Sequence, residues 1–166
     1  MRKFYLASFV TLPEEIIEFR NKYDSKAQLI PPHATLVFPF SFDEIDQLEN
    51  HIKSIVENYP TFDFNSETFS VSFDNYIFLD FQMGKDNIQR LHDTLYTGML
   101  TPFLRKDIPF MPHITIGNCN DSNKGEIINE LQLIYKPFKG RVESITLAEI
   151  TNDHEMRKII REFKLI

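Results

Sequence analysis

Two pentapeptides carry most of the chemistry this sequence can do. Pro32-His33-Ala34-Thr35-Leu36 and Pro112-His113-Ile114-Thr115-Ile116 share one pattern: proline, histidine, apolar, threonine, apolar. Their histidines stand 80 residues apart. Histidine takes or gives a proton near neutral pH. A threonine hydroxyl donates a hydrogen bond to an anionic oxygen without competing strongly as a nucleophile. Two such units facing each other would place a base on one side of a phosphorus atom and an acid on the other. One hydroxyl from each would hold the nonbridging oxygens. That equipment suits metal-free cleavage of a phosphodiester such as a 2′,3′-cyclic phosphate, in which water attacks and a ribose oxygen departs.

The pattern alone is weak, because His92-Asp93-Thr94-Leu95 also contains it. Secondary structure separates the cases. Residues i and i+2 share a face on a strand and diverge on a helix. His92 lies in a helical pattern, so Thr94 cannot act beside it, and His92→Ala is expected to be nearly silent on activity. His51 and His92 read as boundary residues beside apolar helix stripes, and His154 as part of a solvated turn. Cys119 and the Phe-rich strands read as core, and Arg105 and Lys106 as a solvated pair. Gly117, on the His113 face, leaves room either for a ligand or for close packing.

The surrounding elements must bring the two pentapeptides together. Residues 3–10 form an apolar first strand. Pro13 opens a helix reaching about Tyr23 on Ile16 and Phe19. After a loop ending in Pro31-Pro32 comes the first motif strand, 33–40. Ser41-Phe42-Asp43-Glu44 reads as a capping box before a helix with its stripe on Ile45, Leu48, Ile52, Ile55 and Val56. Strands at about 69–73 and 76–83 turn at Asp74-Asn75. A helix capped by Asp86 carries Ile88, Leu91 and Leu95. A loop over 101–112 leads to the second motif strand, 113–119. Asp121 or Ser122 caps a helix that Pro137 stops, and strands at about 140–150 and 158–166 finish the pass. Corresponding elements recur at roughly 73–80 residues, a duplicated β-α-β-α-β unit. The expected fold class is α+β: two pseudo-symmetric lobes with antiparallel or mixed sheets around a central cleft. Residues 1–166 form one bilobal domain, with repeats at about 1–73 and 75–150 and a last strand, 158–166, completing it.

Composition narrows the function classes. The 166 residues are 42% hydrophobic, enough for a sizeable core. The formal net charge of −6 argues against a general nucleic-acid surface, which is normally basic. A single cysteine allows no intrachain disulfide, and no Cys/His cluster has zinc-finger spacing. The apolar start is too short for a signal peptide before Pro13-Glu14-Glu15, and no run is long enough to span a membrane. The expectation is a cytoplasmic monomer without metal or cofactor.

On these motifs the sequence resembles the 2H phosphoesterase superfamily, which includes the 2′-5′ RNA ligase (LigT-like) proteins. It is most similar to the YjcG-like branch, through Arg20-Asn21-Lys22-Tyr23-Asp24, Leu29-Ile30-Pro31-Pro32-His33, Leu95-Tyr96-Thr97-Gly98 and Phe110-Met111-Pro112-His113. The resemblance implies His33 and His113 as the catalytic pair and Thr35 and Thr115 as substrate-binding hydroxyls. It implies hydrolysis of a 2′,3′-cyclic nucleotide or a related RNA-terminal phosphodiester. Gly117-Asn118-Cys119 stands where some LigT-like members place a basic residue, which weighs against ligase activity and polymeric RNA. Three alternatives stay open at this level: a zinc enzyme, a non-catalytic binder of nucleotides or RNA ends, and a 2′-5′ RNA ligase-type activity.

Overall fold

The computed structural model describes residues 2–151 and 156–166, the side chain at 157 excepted; the turn holding His154 lies outside them. In chain order the elements are β1 (Arg2–Phe9), α1 (Glu14–Tyr23), β2 (His33–Phe42), α2 (Ile45–Val56), β3 (Phe62–Ser66), β4 (Phe69–Val71), β5 (Tyr76–Asp80), α3 (Lys85–Leu95), a 3₁₀ turn (Gly98–Phe103), β6 (His113–Asn118), α4 (Lys124–Ile134), β7 (Phe138–Val142), β8 (Ser144–Ile150) and β9 (Met156–Lys164). None of the described helices is long and apolar enough to cross a membrane.

Seven strands form one sheet in the order β4-β5-β6-β2-β1-β8-β9, and β3 and β7 form a separate pair. Every pairing is antiparallel. The large sheet is symmetric about its middle. Outward from the β6–β2 junction run β6-β5-β4 on one side and β2-β1-β8 on the other, with β9 added at the edge. The two motif strands are therefore central neighbours. They share one registered pair, Ala34 with Ile114, and then part.

The helices cross between the halves. α1, which leads into β2, packs on β6, and α3, which leads toward β6, packs on β2. Gly117 is where α1 crosses β6: a Cβ there would lie 3.1 Å from the Tyr23 Cβ and 3.3 Å from the Tyr23 carbonyl oxygen. The missing side chain at 117 thus serves packing. The main core joins Phe4, Leu6, Leu36, Val37, Leu48, Ile52, Phe64, Ile88 and Leu91, among others. Tyr5 and Ala7, on the opposite face of β1, pack with Ala148 and Ile150. This two-sided burial accounts for the unbroken apolar run of the first strand.

The structure differs from the sequence expectation at several boundaries. Ser41 caps no helix. It extends β2 by pairing with Lys3, and α2 starts behind Glu44 without a side-chain cap. Asp86 is not the cap of α3; Gly84 holds that position with a positive φ of 83°. Neither Asp121 nor Ser122 caps α4, whose N-cap is Asn123, after a turn that Asn120 closes through its side-chain oxygen. The expected strand 140–150 is two strands divided at Glu143, and β3 adds a strand that the expectation lacked.

In β3, Phe64 faces Gly140 of β7, and its buried ring contacts Phe81 and Phe138. A Cβ at Gly140 would collide with that ring. Gly140→Ala is expected to cost about 1–3 kcal/mol through overpacking. Thermal denaturation followed by circular dichroism measures it; an unchanged midpoint would show that the ring can yield.

Candidate active site

Both histidines enter their strands in the same way. A proline precedes each, which drives the residue before it toward extended backbone. The carbonyl of that preceding residue meets the imidazole: His33 Nδ1 lies 2.8 Å from the Pro31 oxygen, and His113 Nδ1 lies 2.6 Å from the Met111 oxygen. A carbonyl only accepts, so each Nδ1 carries the hydrogen. Each ring is thus oriented by its Nδ1–H, with Nε2 on the side away from that carbonyl.

Alternation along the strands does the rest. Ala34, Leu36, Ile114 and Ile116 are buried, while His33, Thr35, His113 and Thr115 are half-buried on the other face. His33 and Thr35 flank Ala34, and His113 and Thr115 flank Ile114, so all four leave the paired position on the same face. The four side chains thus gather where the two motif strands meet.

Two depressions meet at Phe38, and each contains one histidine. The smaller, about 160 Å³, is lined by Tyr5, Ile30, His33, Thr35, Phe38, Pro39 and Ile150. The larger, about 520 Å³, has a mostly apolar wall that includes Phe38, Phe73, Phe78, Ile108, Met111 and His113. Phe73 is fully exposed, and Phe78 stacks on His113 with ring centroids 3.8 Å apart. These two phenylalanines belong to the site's rim rather than to the core that their strand pattern suggests.

The two imidazoles differ in their charged surroundings. Burial pushes both below the ordinary histidine pKa, and the carbonyl contacts oppose that shift. At His33 the Arg20 guanidinium and the His113 imidazole disfavour charge further, with Asp24 opposing them. At His113 the Asp80 carboxylate, its cross-strand partner on β5, favours charge.

Arg20 is a site-supporting residue that the sequence pattern does not reveal. It is 4% exposed on α1. Its Nη2 donates to the Ile30 carbonyl at 2.7 Å, its Nη1 reaches the Ala27 carbonyl at 3.4 Å, and its Nε makes an ion-pair contact with Asp24 Oδ2 at 3.0 Å. One guanidinium thus holds the loop whose end orients His33. Thr94, by contrast, is half-buried on α3 and donates to the Arg90 carbonyl. His51 is a boundary residue, half-buried with its Nε2 3.2 Å from the Leu95 oxygen. Arg105 pairs with Asp107 at the surface.

A symmetric antiparallel sheet with a His-x-Thr strand from each half at its centre defines the two-histidine class of phosphoesterase folds. The chain belongs to the 2′-5′ RNA ligase superfamily, whose family model matches residues 10–154. Two relatives carry the name "Putative phosphoesterase". One, from Geobacillus kaustophilus, is 31% identical over 134 residues, covering 78% of this chain and 76% of the relative. The other, from Staphylococcus haemolyticus, is 27% identical over 159 residues, covering 92% and 91%. Among solved structures, Escherichia coli LigT complexed with 3′-AMP superposes with a TM-score of 0.65 at 17% identity, covering 99% of this chain and 98% of LigT. A Thermus thermophilus protein gives 0.66 at 17% identity, covering 98% and 97%. At these identities the structural likeness establishes the fold.

Proposed function

We propose that this protein is a metal-independent phosphoesterase that hydrolyses a 2′,3′-cyclic nucleotide or a related RNA-terminal phosphodiester. The observation that carries the reading is that His33, Thr35, His113 and Thr115 share one face at the Ala34–Ile114 pair, with both Nδ1 atoms occupied by carbonyls. Such a site needs two proton-transfer groups and two hydroxyl donors, and no ligand set. The relatives' names and the nucleotide in LigT agree with an ester of a nucleotide phosphate.

The charges around the two rings suggest their roles. His33, near Arg20, acts as the base: its Nε2 takes a proton from water as the water oxygen bonds to phosphorus. His113, backed by Asp80, acts as the acid: its Nε2 protonates the ribose oxygen as the bond from phosphorus to that oxygen breaks. Thr35 and Thr115 donate to the nonbridging oxygens. The proposed working form is a cytoplasmic monomer in which repeats 1–73 and 75–150, completed by strand 158–166, build one domain.

The reading fixes the pH dependence. Only the form with one ring protonated is active, and both rings lie below the ordinary value of 6.5. The kcat/KM profile is expected to be a bell with its maximum below about pH 6.5. The alkaline limb reports loss of the proton from the acid. Asp80→Asn removes the charge that favours that proton, so it should move the alkaline limb to lower pH and leave the acid limb in place. A profile flat between about pH 5 and 8, or an alkaline limb unmoved by Asp80→Asn, would refute the pairing or the role assignment respectively.

A further inference from the structure

We infer that His92, with Tyr96 one turn on, is a positioning residue that sets the geometry of both motif segments. This rests on the acid–base reading above and adds a residue to it. The sequence expectation for His92 was a boundary residue silent on activity. The structure instead leaves it 3% exposed, on the helix that crosses onto β2.

The reason lies in how the motif strands part. Beyond the Ala34–Ile114 pair, the edge of β2 that faced β6 has no paired strand among the described residues. The same stretch carries a bulge, because Leu6 pairs with Val37 while the next residue, Ala7, pairs with Thr35. An unpaired edge and a bulge directly after Thr35 would leave backbone groups without partners in the core. α3 supplies them from two side chains at i and i+4. His92 Nδ1 donates to the Leu36 carbonyl at 2.7 Å, and Tyr96 Oη accepts from the Phe38 N–H at 3.0 Å. The bonds bracket the bulge and fix Thr35 from its C-terminal side.

His92 also reaches the other motif. Its ring stacks on Phe110, with centroids 3.7 Å apart and planes 10° from parallel. Phe110 precedes Met111, whose carbonyl orients His113. One imidazole therefore touches the segment after Thr35 through a hydrogen bond and the segment before His113 through a stack. The repeat gives it a counterpart. Among the described residues, Arg20 on α1 and His92 on α3 are the polar side chains that the helices bury. Each follows a buried apolar residue, Phe19 or Leu91; Arg20 holds the loop that leads to His33, and His92 holds the backbone after Thr35.

The test uses three variants of the full chain, assayed with 2′,3′-cyclic AMP at a temperature where circular dichroism shows each to be folded. His92→Phe keeps the ring stack and removes the donor. His92→Asn keeps an N–H near the place of Nδ1. Tyr96→Phe removes the second bond by deleting one oxygen. The expected result is a fall in kcat of about tenfold for His92→Phe and about threefold for Tyr96→Phe, with KM within about twofold. His92→Asn should stay within about threefold of the parent. A His92→Phe enzyme with parental kcat, or a His92→Asn enzyme as slow as His92→Phe, would overturn the inference. Proton–carbon NMR of the His33 and His113 rings separates this failure from failure of the acid–base reading. Absent turnover in the parent, with both ring signals displaced in His92→Phe, would sink the activity and keep the positioning. Turnover in the parent with rings and kcat indifferent to His92→Phe would sink the positioning alone.

Discussion

Replacing either His33 or His113 by alanine is expected to lower turnover of a 2′,3′-cyclic nucleotide by about 10²–10⁴-fold, the usual worth of one positioned acid or base. Each ring is half-buried on the open face of its strand, so truncation removes a chemical group without opening the core. The fold should survive, with a near-parental circular dichroism spectrum. In the proposed mechanism the two histidines serve one displacement, so the double variant should be only slightly slower than the slower single one. Full additivity of the two losses would mean that the rings act in separate steps. Equal activity in the single variants and the parent would remove them from the mechanism.

Arg20→Met should have the largest effect on stability. Methionine keeps much of the aliphatic stem and deletes the guanidinium. The Ile30 carbonyl then loses its donor, and Asp24, whose side chain is 11% exposed, loses its counter-ion. Removing one partner of a buried ion pair typically costs about 3–5 kcal/mol. For a chain of this size that corresponds to a fall in Tm of roughly 6–20 °C. Lysine should not rescue it, since a point charge cannot span two carbonyls and a carboxylate. Urea denaturation measures the loss. A change under about 1 kcal/mol would mean that the loop before His33 holds itself without Arg20.

These effects differ in how far the sequence foretold them. The motif strands were legible because His33 and Thr35, like His113 and Thr115, sit two apart between apolar residues, which the pleat converts into one chemical face. The apolar stripe of α2 was legible for a similar reason: Leu48, Ile52 and Val56 recur at helical spacing and are buried. What the sequence withheld was long-range. Nothing local states that β2 and β6 are neighbours, that α1 crosses onto β6, or that Gly117 lies against Tyr23. Arg20 resembles any helix arginine until the carbonyls of Ala27 and Ile30 are folded over it. His92 sits at the margin of the stripe of Ile88, Leu91 and Leu95, and its partner Leu36 is 56 residues away. The capping box at Ser41 is the reverse case, a valid local signal overridden because pairing with β1 draws Ser41 into the ladder. β3 could have been found, since Phe62 and Phe64 alternate with Asp63, but five residues give little weight to a period of two.

The central claim is that two histidines, without a metal, hydrolyse one phosphodiester held between β2 and β6. Phosphorus NMR of the purified protein with 2′,3′-cyclic AMP in excess chelator tests it directly. The account predicts that the cyclic phosphate signal is replaced by that of a single monophosphate, 2′ or 3′, and that the conversion is lost in both His33→Ala and His113→Ala. Persistence of the cyclic phosphate in chelator, with conversion restored by added divalent metal, would contradict it.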